Sequence, residues 1–124
     1  MEYTVSQSEW KIMELIWQSP HTLMELVEKL AKSEGWAKST VATMVRRMEG
    51  KGLIGYEAEG RTKVFHAAVA RDAVVAGQTD SLLQRAYHGS VGLLVSAMAR
   101  RNNLTQKDID ELHAILEQAE EGFK

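Results

Sequence analysis

Ser39, Ala42, Thr43 and Arg46 recur at i, i+3, i+4 and i+7, so a helix carries them on one face, with Thr40 and Arg47 at its edge. Short polar and methyl-bearing side chains followed by guanidinium groups suit contact with base edges in a DNA major groove. There Arg reaches guanine or phosphate, and Ala and Thr methyls meet thymine methyls. Periodicity alone describes a solvated helix face equally well. The next segment tips the balance. Residues 53–59 and 62–67 are rich in aromatic and β-branched side chains and flank Gly60-Arg61, which predicts a β-hairpin. Its tip carries Arg61 and Lys63, placed to grip a flanking phosphate.

Charge follows the same division. The whole chain is net -2, yet residues 36–66 hold six basic residues against three acids, net +3. Residues 73–124 hold five basic and seven acidic residues. A local basic patch on a near-neutral chain points to a defined contact rather than general stickiness for polyanions.

Other chemistries find little support. There is no cysteine, which excludes disulfides, thiolate zinc sites, iron–sulfur clusters and cysteine nucleophiles. His21, His66, His88 and His113 share no ligand spacing, and His113 with Glu117 reads as an ordinary i, i+4 helix pair. No Gly-rich phosphate loop, G-x-S-x-G or H-E-x-x-H occurs. We therefore expect no metal, no cofactor and no enzymatic activity. Trp10 and Trp17 lie on an apolar helix stripe and read as core. Trp36 reads as a staple for the following helix, and the six methionines as gap-fillers.

Three helices must position the candidate face. Ser6-x-x-Glu9 and Thr22-x-x-Glu25 are capping boxes opening the first two, and Pro20 and Gly35 close them. The third spans about residues 38–51, with Val41, Met44, Val45 and Met48 on its buried side and Gly50 and Gly52 as its stop. Three helices followed by a hairpin make a winged helix-turn-helix in a mainly α chain. We assign it to residues 1–72.

Residues 73–124 are expected to form a helical dimerisation region. A long helix over about 79–101 carries Leu83, Tyr87, Val91, Leu94 and Met98, and the Arg101-Asn102-Asn103 segment breaks it. Gly89 and Gly92 mark a kink or a close helix approach. Thr105-x-x-Asp108 opens a last helix with Ile109, Leu112 and Leu116 on one face. Some fifty residues are too few for a stable core of their own, so the two stripes are expected to be buried against a second copy. No apolar run approaches the ~18 residues of a membrane span. Met1-Glu2-Tyr3-Thr4 lacks the pattern of a signal peptide, so a cytoplasmic location is expected.

Three motifs together resemble the BlaI/MecI/CopY family of penicillinase repressors. They are Ser8-Glu9-Trp10-x-x-Met13-x-x-Ile16-Trp17, Trp36-x-x-Ser39-Thr40-Val41-x-Thr43 and Arg47-Met48-x-x-Lys51-Gly52-Leu53-Ile54. The likeness continues through Tyr87-x-Gly89-Ser90, Leu94-Val95 and Asn103-Leu104-Thr105-x-x-Asp108-Ile109-x-Glu111-Leu112. It implies a homodimeric repressor on a double-stranded, pseudo-palindromic operator with TACA/TGTA-type half-sites. Ser39, Thr40, Ala42, Thr43 and Arg46 would read bases, and Lys38, Arg47, Lys51, Arg61 and Lys63 would hold phosphates.

In β-lactam systems such repressors are relieved by proteolysis under a membrane sensor metalloprotease. The cleavage position, an Asn-Phe pair there, reads Ala97-Met98 here and keeps an apolar residue after the bond. The cysteine motifs of copper-responsive members are missing, and Ala42 stands where relatives can carry a longer polar side chain. Two other readings remain open: a winged-helix regulator controlled by a small molecule, and a winged-helix protein-interaction module.

Overall fold

A computed structural model describes residues 3–101 and 103–123. Met1 and Glu2 of the N-terminal segment, and Asn102 of the expected break, lie outside the described residues. The elements run α1 (Gln7–Gln18), β1 (His21–Thr22), α2 (Leu23–Glu34), α3 (Lys38–Gly50), β2 (Ile54–Glu59), β3 (Thr62–Ala67), α4 (Arg71–Tyr87), α5 (Val91–Arg101) and α6 (Gln106–Glu121). Three helices and a β-hairpin in this order form the expected winged helix-turn-helix.

Both early capping boxes form. The Ser6 hydroxyl accepts from the Glu9 N–H while the Glu9 carboxylate accepts from the Ser6 N–H, and Thr22 and Glu25 repeat the exchange at α2. The Ser6 cap contributes about 1 kcal/mol by satisfying orphan amides of the first turn, and the Thr22 cap satisfies the same groups at α2. The α2 helix closes on Gly35 at φ 71°, a left-handed position that glycine adopts without strain. The stripe Val41, Met44, Val45 and Met48 is buried to the last member. It meets Ile12, Met13 and Ile16 of α1, Leu26 and Leu30 of α2, Leu53 and Phe65 in one core. Trp10, Trp17 and Trp36 pack on the rim of that core rather than at its centre. Trp10 and Trp17 are 5.5 Å apart, and the Trp17 indole donates to the Val69 carbonyl at 2.9 Å.

The sheet has a third strand that the sequence did not announce. It is ordered β1-β3-β2, with His21 opposite Phe65 and Thr22 opposite Val64. Two residues are too short for a period of two to show. The pairing ties the start of α2 to the wing. His21 is buried there, its Nδ1 on the Ser19 carbonyl at 2.7 Å and its Nε2 on the Lys29 ammonium at 2.7 Å. Lys29 can only donate, so Nε2 accepts and Nδ1–H donates.

The single helix expected over 79–101 is a correction. The α4 helix starts earlier, at Arg71, with Val74 buried on the core, and ends at Tyr87. His88 and Gly89 turn left-handed at φ 51° and 80°, the Gly89 N–H donates to the Leu83 carbonyl, and the Ser90 hydroxyl then caps α5 through the Leu93 N–H. A glycine stop followed by a serine start breaks the backbone while the apolar stripe runs on across it. Periodicity alone is therefore blind to it.

The chain divides into two compact units, with the boundary inside α4 between Asp80 and Ser81. The second unit has no buried residue among those described in α5 and α6. Val91, Leu93, Met98, Ile115 and Leu116 are each more than half exposed. A groove of about 340 Å³ lies among Val95, Met98, Leu104, Leu112 and Ile115. No described helix is long and apolar enough to cross a membrane.

Candidate nucleic-acid interface

The α3 helix buries its apolar stripe and so turns Lys38, Ser39, Thr40, Thr43 and Arg46 to solvent, with Ala42 half-buried between them. The hairpin closes with Glu59 opposite Thr62, leaving Gly60-Arg61 as a two-residue turn with Gly60 at φ 63°. Glycine at the first central position suits such a turn. The pairing Tyr56–Phe65 and Ala58–Lys63 puts these four side chains on one hairpin face, and Gly55–His66 and Glu57–Val64 on the other. The Lys63 ammonium sits 4.3 Å from the centre of the Tyr56 ring, and Tyr56 packs edge-on against buried Phe65. The lysine is thereby anchored to the core through two aromatic rings.

Helix and wing converge. Ala42 and Arg46 of α3, Arg61 and Lys63 of the wing, and Thr22, Leu23 and Met24 at the start of α2 line one open concavity of about 740 Å³. Three cations face it against one carboxylate, Glu49, among the described residues. Thr22, Leu23 and Met24 were not among the residues picked from the sequence. Only the packing of α2 on α3 brings them there, and no local signal marks it.

Arg47 and Lys51 go elsewhere. Arg47 Nε donates to Glu9 Oε2 at 3.2 Å, and Lys51 Nζ donates to Glu9 Oε1 at 2.8 Å and to the Thr4 carbonyl at 3.2 Å. The Glu9 side chain has no accessible surface. Burial works to raise its carboxyl, but the Lys51 ammonium and the Ser6 amide and hydroxyl outweigh that. They hold it below the ordinary carboxylate range. One carboxylate thus caps α1 and clamps the end of α3 to it. The sequence showed the cap, which is local, and not the clamp. Two cations on one anion leave the cluster net positive, with half of the Arg47 side chain still exposed at 53%.

The profile of the penicillinase repressor family matches residues 5–118. The chain belongs to that family. Its relatives include the penicillinase repressor of Bacillus licheniformis, 29% identical over 92% of this chain and 90% of that one. The methicillin resistance regulatory protein MecI of Staphylococcus aureus strain N315 is 24% identical over 92% and 94%. Among solved structures, the DNA-binding domain of the repressor BlaI superposes with a TM-score of 0.52 at 28% identity, covering 57% of this chain and 90% of that domain. Monomeric Bacillus licheniformis BlaI in complex with the blaP half-operator superposes at 0.51 and 27% identity, covering 58% and 89%. The penicillinase repressors are regulators, not enzymes, and the winged unit of this chain has the fold of their DNA-binding domain.

Proposed function

We propose that this family member is a sequence-specific DNA-binding repressor that acts as a homodimer on a pseudo-palindromic operator. The observation that carries the DNA reading is the convergence of Ala42 and Arg46 with Arg61 and Lys63 on one cationic concavity. The half-operator complex of a relative with the same fold supports it. In this reading Ser39, Thr40, Ala42, Thr43 and Arg46 meet base edges in the major groove. Lys38, Arg61 and Lys63 hold phosphates. Arg47 and Lys51 bind Glu9 first and offer their remaining positive charge to the backbone.

Two substitutions separate the roles. Arg46→Ala is expected to cost about 1–3 kcal/mol on the preferred duplex and to flatten preference at one base position. Lys63→Ala is expected to weaken preferred and scrambled duplexes alike and to lower the salt slope by about one. Fluorescence anisotropy on both duplexes at several salt concentrations reads both effects. Wild-type affinity in both variants would overturn the assignment.

Dimerisation rests on the apolar residues that α5 and α6 leave uncovered, and on Leu83 and Tyr87 at the end of α4, which are half-buried. In this reading Leu83, Tyr87, Val91, Leu94 and Met98, with Ile109, Leu112 and Leu116, pair with the same residues of a second copy. Release of DNA through a membrane sensor metalloprotease system would cut between Ala97 and Met98. That bond lies inside α5, the helix whose Val91, Leu94 and Met98 pair with the second copy in this reading, so cutting it would remove part of the dimer contact.

A further inference from the structure

Met24 stands out on the DNA-facing side. It is 56% exposed in the first turn of α2, beside the capping-box carboxylate of Glu25. A single exposed methionine needs no explanation. This one lines the same concavity as Ala42, Arg46, Arg61 and Lys63. An apolar side chain among three cations cannot hold a phosphate and adds nothing to solubility. It does supply what the cations lack, a flexible, polarisable surface for an apolar ligand group. A major groove presents one such group, the C5-methyl of thymine.

We infer that Met24 is a specificity-determining residue, which together with Ala42 takes a thymine methyl of the bound duplex. Selectivity for thymine at that position then comes from two elements. Ala42 of α3 supplies the small floor, and Met24 of α2 supplies the wall. Ala42 is small, and a longer side chain there would take room from the concavity that both residues line. The inference rests on the DNA reading given above and deepens it.

Replacing thymine by deoxyuridine removes the methyl and nothing else. The probe is the duplex that the full-length chain enriches best from random sequence, with each thymine replaced in turn by deoxyuridine. For wild type, one position per half-site is expected to lose affinity about three- to fivefold, the worth of one buried methyl group. In Met24→Ala that loss is expected to shrink at that position, where only Ala42 still meets the methyl, while the effects of the other thymines persist. Met24→Leu is expected to retain it. A full deoxyuridine penalty at every thymine in Met24→Ala, or no penalty anywhere in wild type, would overturn the role of Met24 and leave DNA binding intact. Failure of the selection to enrich any sequence would instead overturn the DNA reading, and the inference with it. Met24 is exposed and outside the core, so melting curves of the variants are expected to match wild type.

Discussion

In the proposed homodimer, Leu112→Asp is expected to separate the two copies and to weaken binding to a two-site operator by about 100-fold or more, with affinity for a half-site unchanged. Leu112 lines a groove with Val95, Met98, Leu104 and Ile115, and Asp108 and Glu111 line it too, so a further carboxylate brings like charge as well as polarity. A carboxylate there must either be buried without a partner or keep the second copy away. Two heads on one dimer bind a correctly spaced operator with an avidity gain of roughly 10²–10⁴, and all of it is lost when the heads separate. The winged unit contains none of these residues, so its own DNA contacts survive. Sedimentation equilibrium reads the mass, and anisotropy on full and half operators reads the affinity. A variant that stays dimeric and binds the full operator normally would contradict the assignment of α5 and α6 to the dimer.

The second large effect concerns stability. Glu9→Ala removes the acceptor of three donors at once: the Ser6 N–H, Arg47 Nε and Lys51 Nζ. Breaking a buried pair from one side costs about 3–5 kcal/mol when the orphaned charge stays buried. Here the Arg47 and Lys51 side chains keep 53% and 33% exposure and can rehydrate, which lowers the expected loss to about 2–3 kcal/mol. In a unit of this size that is a fall in Tm of roughly 10–20 °C.

The charge also sets a pH dependence. The folded carboxyl titrates below its ordinary value, so its contribution is complete above the unfolded pKa of about 4.3 and is lost as pH falls through the lowered folded value. Glu9→Gln keeps the volume and removes the charge. Its deficit against wild type is expected to be full at pH 7 and to shrink progressively below about pH 4. Equal melting of Glu9→Gln and wild type at pH 7 would show that the clamp contributes nothing.

These two cases mark what the sequence disclosed and what it withheld. The caps at Ser6, Thr22 and Thr105 were legible because donor and acceptor lie three residues apart, and all three form. The buried stripe of α3 and the Gly60-Arg61 turn were legible for the same reason, a short period or a local backbone demand. Three features escaped. Glu9 meets Arg47 and Lys51 only because α1 packs on α3, and no spacing encodes that. His21-Thr22 becomes a strand only because β3 offers an edge. Met24 joins the cationic concavity only through the α2–α3 packing. The break at His88-Gly89 was written locally, in a glycine followed by a serine cap. In the sequence alone Gly89 reads as a kink or a close approach within one helix, because the apolar stripe is long enough to serve one helix or two.

The most direct test of the central claim is anisotropy of the full-length chain on a TACA/TGTA-type dyad and on a scrambled duplex, at two salt concentrations. The account predicts tight binding that prefers the dyad and weakens steeply as salt rises, because each phosphate contact releases counterions. Weak binding, equal on both duplexes and indifferent to salt, would contradict it and return the exposed face of α3 to a role in docking protein.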